Sequence, residues 1–352
     1  MYTCTLQVNE ICNLKCNYCY EGEKSNSLMN IKVATKAIDL AISNTKLHED
    51  KKLTINYIGG EPLISFDLVK AITEYTIYQC TLNDIKPIFT ITINGTLANK
   101  ENFDFMISHN FDIKLSLDGN EETNDINRMF INGSGSYKSV LSNLEIFKEY
   151  EEKTSKKIEV SMVIAKNNFR RYYQNLKHII DLGFSRIDSA INIYEEWTQD
   201  DIKELEDVLR KSFYYIRDII KQGKDVRWYF YEKIYQSFTS ICSGKCTAGI
   251  ISIYVNTDGL IYPCMVDESI KPIGNVEMGL DFKLIREVYV PELKVDRECI
   301  NCSLVDCCPS RKCHALNMII NNDMSKPIDI LCSINKIFAR LLEEEGVVKC
   351  LV

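Results

Sequence analysis

Between residues 3 and 191, short apolar or alternating runs recur at intervals that each leave room for one helix. They predict strands at 3–8, 53–58, 88–93, 112–117, 158–164 and 185–191. Two of the intervening helices are expected at 32–44 and 137–150. Strands that alternate with helices argue for a parallel sheet with helical crossovers. Six such units fall short of the eight that close a full barrel, so the fold class is α/β, built as a partial (β/α)6 barrel or an open parallel sheet. From 198 to about 241 the pattern becomes helical and charge-rich, with Asp200 and Asp201 placed to start a helix. Beyond it, IISIYVNTDGLIYPC alternates apolar residues around Asp258 and Gly259, a dipeptide suited to a hairpin turn. The remainder is loop-rich, with too little apolar sequence to pack well alone. The expected division is a barrel over 1–197, a helical bridge over 198–241 and a small cysteine-rich domain over 242–352.

Composition sharpens this picture at one point. Fifteen of 352 residues are cysteine, too sparse for a small disulfide scaffold and many for an ordinary enzyme. The amino terminus has no basic region followed by an apolar stretch, and no apolar run of about 18 residues occurs. The expectation is therefore a cytoplasmic protein with no membrane partner, in which abundant thiols favour metal ligation over disulfides. Forty-two basic residues are dispersed among 49 acidic ones, net charge -7, which argues against nucleic acid as a partner.

Cysteine position then separates two groups. Cys12, Cys16 and Cys19 form CxxxCxxC directly after the first expected strand, where loops at the carboxyl ends of parallel strands build active sites. Three thiolates can hold a four-iron cluster and leave one iron open for chemistry. Gly59, Gly60, Glu61 and Pro62 follow the second strand; paired glycines let a ligand approach the backbone, and a carboxylate can hold an ammonium group. CNLKCNYCY at 12–20, GGEP at 59–62, SLDG at 116–119 and Arg128 together resemble the radical S-adenosylmethionine (radical SAM) superfamily, over residues 3–193. The resemblance implies that Cys12, Cys16 and Cys19 ligate a [4Fe-4S] cluster whose fourth iron takes S-adenosylmethionine, and that reductive cleavage yields a 5′-deoxyadenosyl radical. It further implies that Tyr18 lies near the adenine, and that Gly60 and Glu61 receive the methionine amino group. Ser116 and Arg128 match ribose and carboxylate contacts, and Ile193 an adenine contact.

The second group resembles the SPASM domain, which carries two auxiliary [4Fe-4S] clusters. By that likeness Cys242, Cys246, Cys264 and Cys313 hold the inner cluster, while Cys299, Cys302, Cys308 and Cys332 hold the outer one, making three clusters in all. Cys307 stands as an alternative to Cys308, which keeps the five-residue gap from Cys302. Only three residues separate Cys242 from Cys246, leaving open whether the inner cluster has four protein ligands or three. A structural zinc ribbon on Cys299, Cys302, Cys313 and His314 is the other reading, and it strands the remaining cysteines. Cys4, Cys80 and Cys350 read as ordinary thiols.

Two reactions compete. Anaerobic sulfatase-maturating enzymes place an Asp base directly after the cysteine matching Cys264; here Met265 stands there, and the nearest acids are Asp267 and Glu268, the candidate catalytic pair. That mismatch favours a maturase forming a thioether or carbon–carbon crosslink in a ribosomally made peptide. Expected partners are a peptide or protein substrate and a reductant such as flavodoxin or ferredoxin. Only 11 residues precede Cys12, so leader recognition falls to the bridge, the cysteine-rich domain or a separate leader-binding protein. Tyr172, Tyr173, Tyr214, Tyr215, Tyr229 and Tyr231 are candidates to line a peptide cleft, with core packing as the alternative. A non-catalytic electron carrier would account for the cysteines but leaves GGEP and SLDG without purpose.

Overall fold

The computed structural model describes residues 1–22, 24–239, 247–264, 270–289 and 295–347. Its strands are β1 (Tyr2–Gln7), β2 (Leu14–Cys16), β3 (Lys52–Ile58), β4 (Lys86–Ile93), β5 (Asp112–Ser116), β6 (Arg128–Phe130), β7 (Glu159–Ile164), β8 (Arg186–Ile191), β9 (Arg227–Trp228), β10 (Ser252–Val255), β11 (Leu260–Tyr262), β12 (Gly274–Asn275) and β13 (Gly279–Leu280). The helices are α1 (Ile31–Thr45), α2 (Phe66–Leu82), α3 (Lys100–Ser108), α4 (Glu121–Asn127), α5 (Tyr137–Leu141), α6 (Leu144–Thr154), α7 (Tyr172–Asp181), α8 (Gln199–Lys221), α9 (Tyr229–Thr239), α10 (Phe282–Tyr289), α11 (Pro309–Lys312), α12 (His314–Asn321) and α13 (Asp329–Glu344). The fold is α/β with a mostly parallel sheet, and all six expected strands are present, as β1, β3, β4, β5, β7 and β8.

The chain divides into two compact units that interleave in sequence: Met1–Ser116, Asp125–Ile158 and Thr247–Tyr289 form the first, and Leu117–Asn124, Glu159–Cys246 and Val290–Val352 the second. Breaks at 197 and 241 therefore do not mark the edges of these units. The reason is a strand pairing: β10 runs parallel to β1, Thr3 opposite Ser252 through Leu6 opposite Val255, so the hairpin of the cysteine-rich segment extends the first unit's sheet. Gly259 makes that hairpin's turn with φ 85°, a conformation glycine reaches without steric cost.

Within the first unit, β1 pairs in parallel with both β3 and β10, and β3, β4 and β5 follow in order. Tyr2, Cys4 and Leu6 are fully buried, and Thr5 and Gln7 nearly so, as a strand covered on both faces requires. Helix α1 starts at Asn30, whose side chain accepts from the Lys32 amide, and buries Ala34, Ala37, Ile38, Ala41 and Ile42 along one stripe. The helix expected over 137–150 is two helices. Asn143, between them, turns its side-chain amide to the Gly95 carbonyl at 2.9 Å, an alternative to continuing the helix.

In the second unit β7, β8 and β9 pair in parallel. Thr198 caps α8 in a reciprocal capping box with Asp201. The carboxyl-terminal helix α13 buries Ile330, Ile334, Ile337, Phe338, Leu341 and Leu342, and Phe338 packs against Trp228 and Phe230. The segment thus packs on the helical stretch before it. Among the described residues no helix is long and apolar enough to cross a membrane.

Candidate functional site

The CxxxCxxC loop leaves β1 and folds at once into β2, which pairs antiparallel with β6 and sets Cys16 opposite Arg128. The Asn17 amide donates to the Asn127 carbonyl at 3.0 Å, and its side chain to Ile126 at 2.8 Å. This short ladder brings Tyr18 and Arg128 together, with the guanidinium 5.3 Å from the ring centroid. Arg128 is buried. Two residues expected to contact one ligand, 110 positions apart in sequence, therefore lie side by side.

Gly59 and Gly60 do their work differently from the expectation. A Cβ on Gly60 would stand 2.2 Å from the Ile11 carbonyl oxygen, and one on Gly59 would stand 2.4 Å from that of Asn9. What these glycines admit is the backbone of the cysteine loop itself. Gly60 N–H donates to Asn9 and Glu61 N–H to Ile11, at 2.9 and 2.7 Å. The loop is thereby laced to the end of β3.

Glu61 is buried, and its carboxylate accepts from the Leu63 amide at 3.0 Å and the Asn94 amide at 2.6 Å. Burial pushes its carboxyl up to about 7, against the two amide donors, which favour the charged form. Asn94 passes the connection on: its side chain donates to Asn13 at 2.8 Å, and Asn13 donates to Thr96. Glu61 thus ties the ends of β3 and β4 to the cysteine loop. Sequence reasoning missed Asn13 and Asn94, though Asn94-Gly95 directly after a strand was a turn signal. Replacing Glu61 by Gln would turn one acceptor into an NH2 facing an amide N–H. The expected cost is about 1–3 kcal/mol, read as a lowered Tm in the cluster-free protein.

Cys12, Cys16 and Cys19 are half-buried. Burial pushes the Cys12 thiol up to about 11; the Leu14 amide, donating to its sulfur at 3.4 Å, works against this, as does the Lys24 ammonium. Lys24, also missed, pairs with Glu21 at 2.5 Å and has Cys19 as an electrostatic neighbour. A cation therefore stands among thiols that must lose protons to bind iron. Among the described residues no three of His, Cys, Asp or Glu converge on a single metal ion. Three thiols with a cation beside them have the donor chemistry that iron–sulfur ligation calls for.

Ser116 ends β5, half-buried, in the first unit; Ile193 lies in the turn after β8, in the second. Cys264 follows β11 and Cys313 precedes α12, both half-buried. Cys242, Cys246, Met265, Asp267, Glu268 and Cys350 lie outside the described residues. Cys4 and Cys80 are buried, as expected of ordinary thiols. Cys299 has Cys302, Cys308 and Cys332 as electrostatic neighbours, and Cys332 likewise has Cys302 and Cys308. Among the tyrosines, Tyr231 lines a cavity of about 470 Å³ with Phe213, Arg217 and Tyr235. Tyr172 is buried and bonds Ser189 and Trp228; Tyr173 meets Tyr215 edge-on; Tyr231 packs on Phe213; Tyr214 donates to Glu344; and Arg227 covers Tyr229.

Comparison with known proteins places this arrangement. The radical SAM superfamily signature matches residues 6–158. A cysteine-type anaerobic sulfatase-maturating enzyme of Clostridium novyi is 24% identical, over 85% of this chain and 84% of its own. The solved structure of native anSMEcpe with bound AdoMet has a TM-score of 0.80 at 19% identity, covering 97% of both chains. Streptococcus suis SuiB bound to precursor peptide SuiA has a TM-score of 0.64 at 17% identity, covering 94% of this chain and 75% of that one.

Proposed function

Because the chain is a radical SAM enzyme, we propose that it modifies a ribosomally made peptide, joining two side chains through a thioether or a carbon–carbon bond. The observation that carries this reading is Met265 directly after Cys264. Formylglycine chemistry calls for a carboxylate at that place, and a base must sit within hydrogen-bond reach of its proton. SuiB, crystallised with a precursor peptide, supports a peptide as the substrate class.

In this reading Cys12, Cys16 and Cys19 hold the catalytic [4Fe-4S] cluster and S-adenosylmethionine completes it. Bound together, they supply a carbon-centred radical able to remove hydrogen from an unactivated carbon. Arg128 and Tyr18, already in contact, orient the carboxylate and adenine ends of the nucleotide. Gly60 and Glu61 receive its amino group, and Ser116 and Ile193 its ribose and adenine. Cys242, Cys246, Cys264 and Cys313 hold the inner auxiliary cluster and Cys299, Cys302, Cys308 and Cys332 the outer one. Flavodoxin or ferredoxin is the proposed reductant, and a separate protein is a candidate leader binder. Asp267 and Glu268 are the acids offered for proton removal after hydrogen abstraction.

Co-expression with a short cysteine-containing peptide encoded beside the gene tests the reading. The expected product has lost two hydrogens per crosslink, seen by mass spectrometry, with 5′-deoxyadenosine formed in step. Aldehyde formation on a Cys or Ser peptide would overturn it in favour of sulfatase-type maturation, a reaction in which D267N or E268Q then identifies the base. Absence of 5′-deoxyadenosine from the fully iron-loaded protein would leave only an electron carrier.

A further inference from the structure

Helix α13 sets Cys332, Asn335 and Lys336 on one face, because side chains at i, i+3 and i+4 lie above one another. All three reach the same group of thiols. The Asn335 side-chain amide donates to the Cys308 sulfur at 3.8 Å and to Ser310 Oγ at 2.6 Å. The Lys336 ammonium acts electrostatically on Cys332, one turn away on the same helix, and Cys308 and Cys332 both neighbour Cys299. Asn335 is 3% exposed and Cys308 8%, so the amide has no water to turn to. A neutral thiol is a weak acceptor, whereas a thiolate draws N–H donors strongly. The buried Asn335 amide aimed at sulfur is arranged for the ligated state, and the Lys336 ammonium stands on the solvent side of the same group.

We propose that Asn335 and Lys336 are positioning residues that raise the reduction potential of the outer cluster. This rests on the reading that Cys299, Cys302, Cys308 and Cys332 hold that cluster. Reduction adds negative charge to the cluster and its sulfurs, and N–H donation together with a nearby cation stabilises that charge. The ligand and both tuning groups share one rigid helix, so their spacing is fixed by helix geometry and not by a loop. Lys336 and Cys302 also line a cavity of about 450 Å³ with Arg340, Glu298 and Glu343. Solvent reaches this side, which makes a set potential useful for electron exchange.

The test is a potentiometric titration of the anaerobically reconstituted holoenzyme, followed by electron paramagnetic resonance. N335D, isosteric but without the donor, and K336M, which keeps the apolar stem, are each expected to move one cluster signal to a more negative potential and leave the others in place. K336R is expected to restore the original value. Unchanged potentials, or equal shifts in every signal, would overturn the proposal. Should N335D lose iron, K336M decides: a shift at full iron content upholds the tuning role, and iron loss there too assigns the pair to scaffold and overturns it. A C299A/C332A double variant distinguishes the premise from the inference. If it binds as much iron as the parent, the outer cluster itself is misassigned.

Discussion

Gly60→Ala abolishes 5′-deoxyadenosine formation and strips iron from the amino-terminal site, because the added Cβ meets only backbone. It would lie 2.2 Å from the Ile11 oxygen, 2.4 Å from the Ile11 carbonyl carbon and 2.8 Å from that of Glu10. None of these can rotate away as a side chain would. The loop must withdraw, breaking the hydrogen bonds from Gly60 to Asn9 and from Glu61 to Ile11. At about 1 kcal/mol per bond, with about 1–3 kcal/mol for overpacking, the loss is roughly 3–5 kcal/mol. The displaced segment is the one that carries Cys12, so the damage falls on ligand spacing before it falls on the fold. Gly133→Ala is the control. Its φ is 85° but nothing lies within 4 Å of the new Cβ, so it pays only left-handed strain of about 1–2 kcal/mol and keeps full turnover. A G60A protein with normal iron content and turnover would refute the lacing argument.

The parts of this fold legible in the sequence were those whose burial is periodic. β1, β3, β4, β5, β7 and β8 are covered on both faces or alternate cleanly, and their apolar runs announce them. The candidate ligands Cys12, Cys16 and Cys19 were legible from spacing, and Tyr18 and Arg128 from resemblance. What stayed hidden depends on contacts far apart in the chain. β2 and β6 have three residues each, too few for a period, and only their pairing brings Cys16 opposite Arg128. The parallel pairing of residues 3–6 with 252–255 joins opposite ends of the sequence and regroups the compact units. Gly59 and Gly60 were correctly read as places of close approach, but a sequence cannot say whether a ligand or the chain's own backbone approaches. The tyrosines were ambiguous for a related reason: an aromatic run looks the same in a cavity wall, where Tyr231 stands, as in a core, where Tyr172 does.

Spacing alone also left Cys307 and Cys308 in competition, and we propose Cys308 as the ligand. Cys307 donates its S–H to the Leu304 carbonyl at 3.6 Å, whereas Cys308 is buried beside Asn335 and neighbours Cys299 and Cys332. Cys308→Ala is therefore expected to lose the iron and sulfide of one whole cluster, while Cys307→Ala keeps both. A cubane missing one of four thiolates has an iron corner open to water and exchange; the amino-terminal site is completed by its nucleotide, whereas nothing replaces the Cys308 thiolate here, so iron is lost on handling. Because cluster binding free energy is also folding free energy, C308A loses stability as well. A deficit of about 3 kcal/mol would lower Tm by roughly 4 °C in a protein of this size. The fall should be confined to the iron-loaded state, since without metal Cys308 contributes only a small buried side chain. A zinc ribbon predicts the opposite pattern, with C308A silent and C313A or H314A releasing one zinc ion. Equal iron content in C307A and C308A, with zinc found by elemental analysis, would discard the outer cluster.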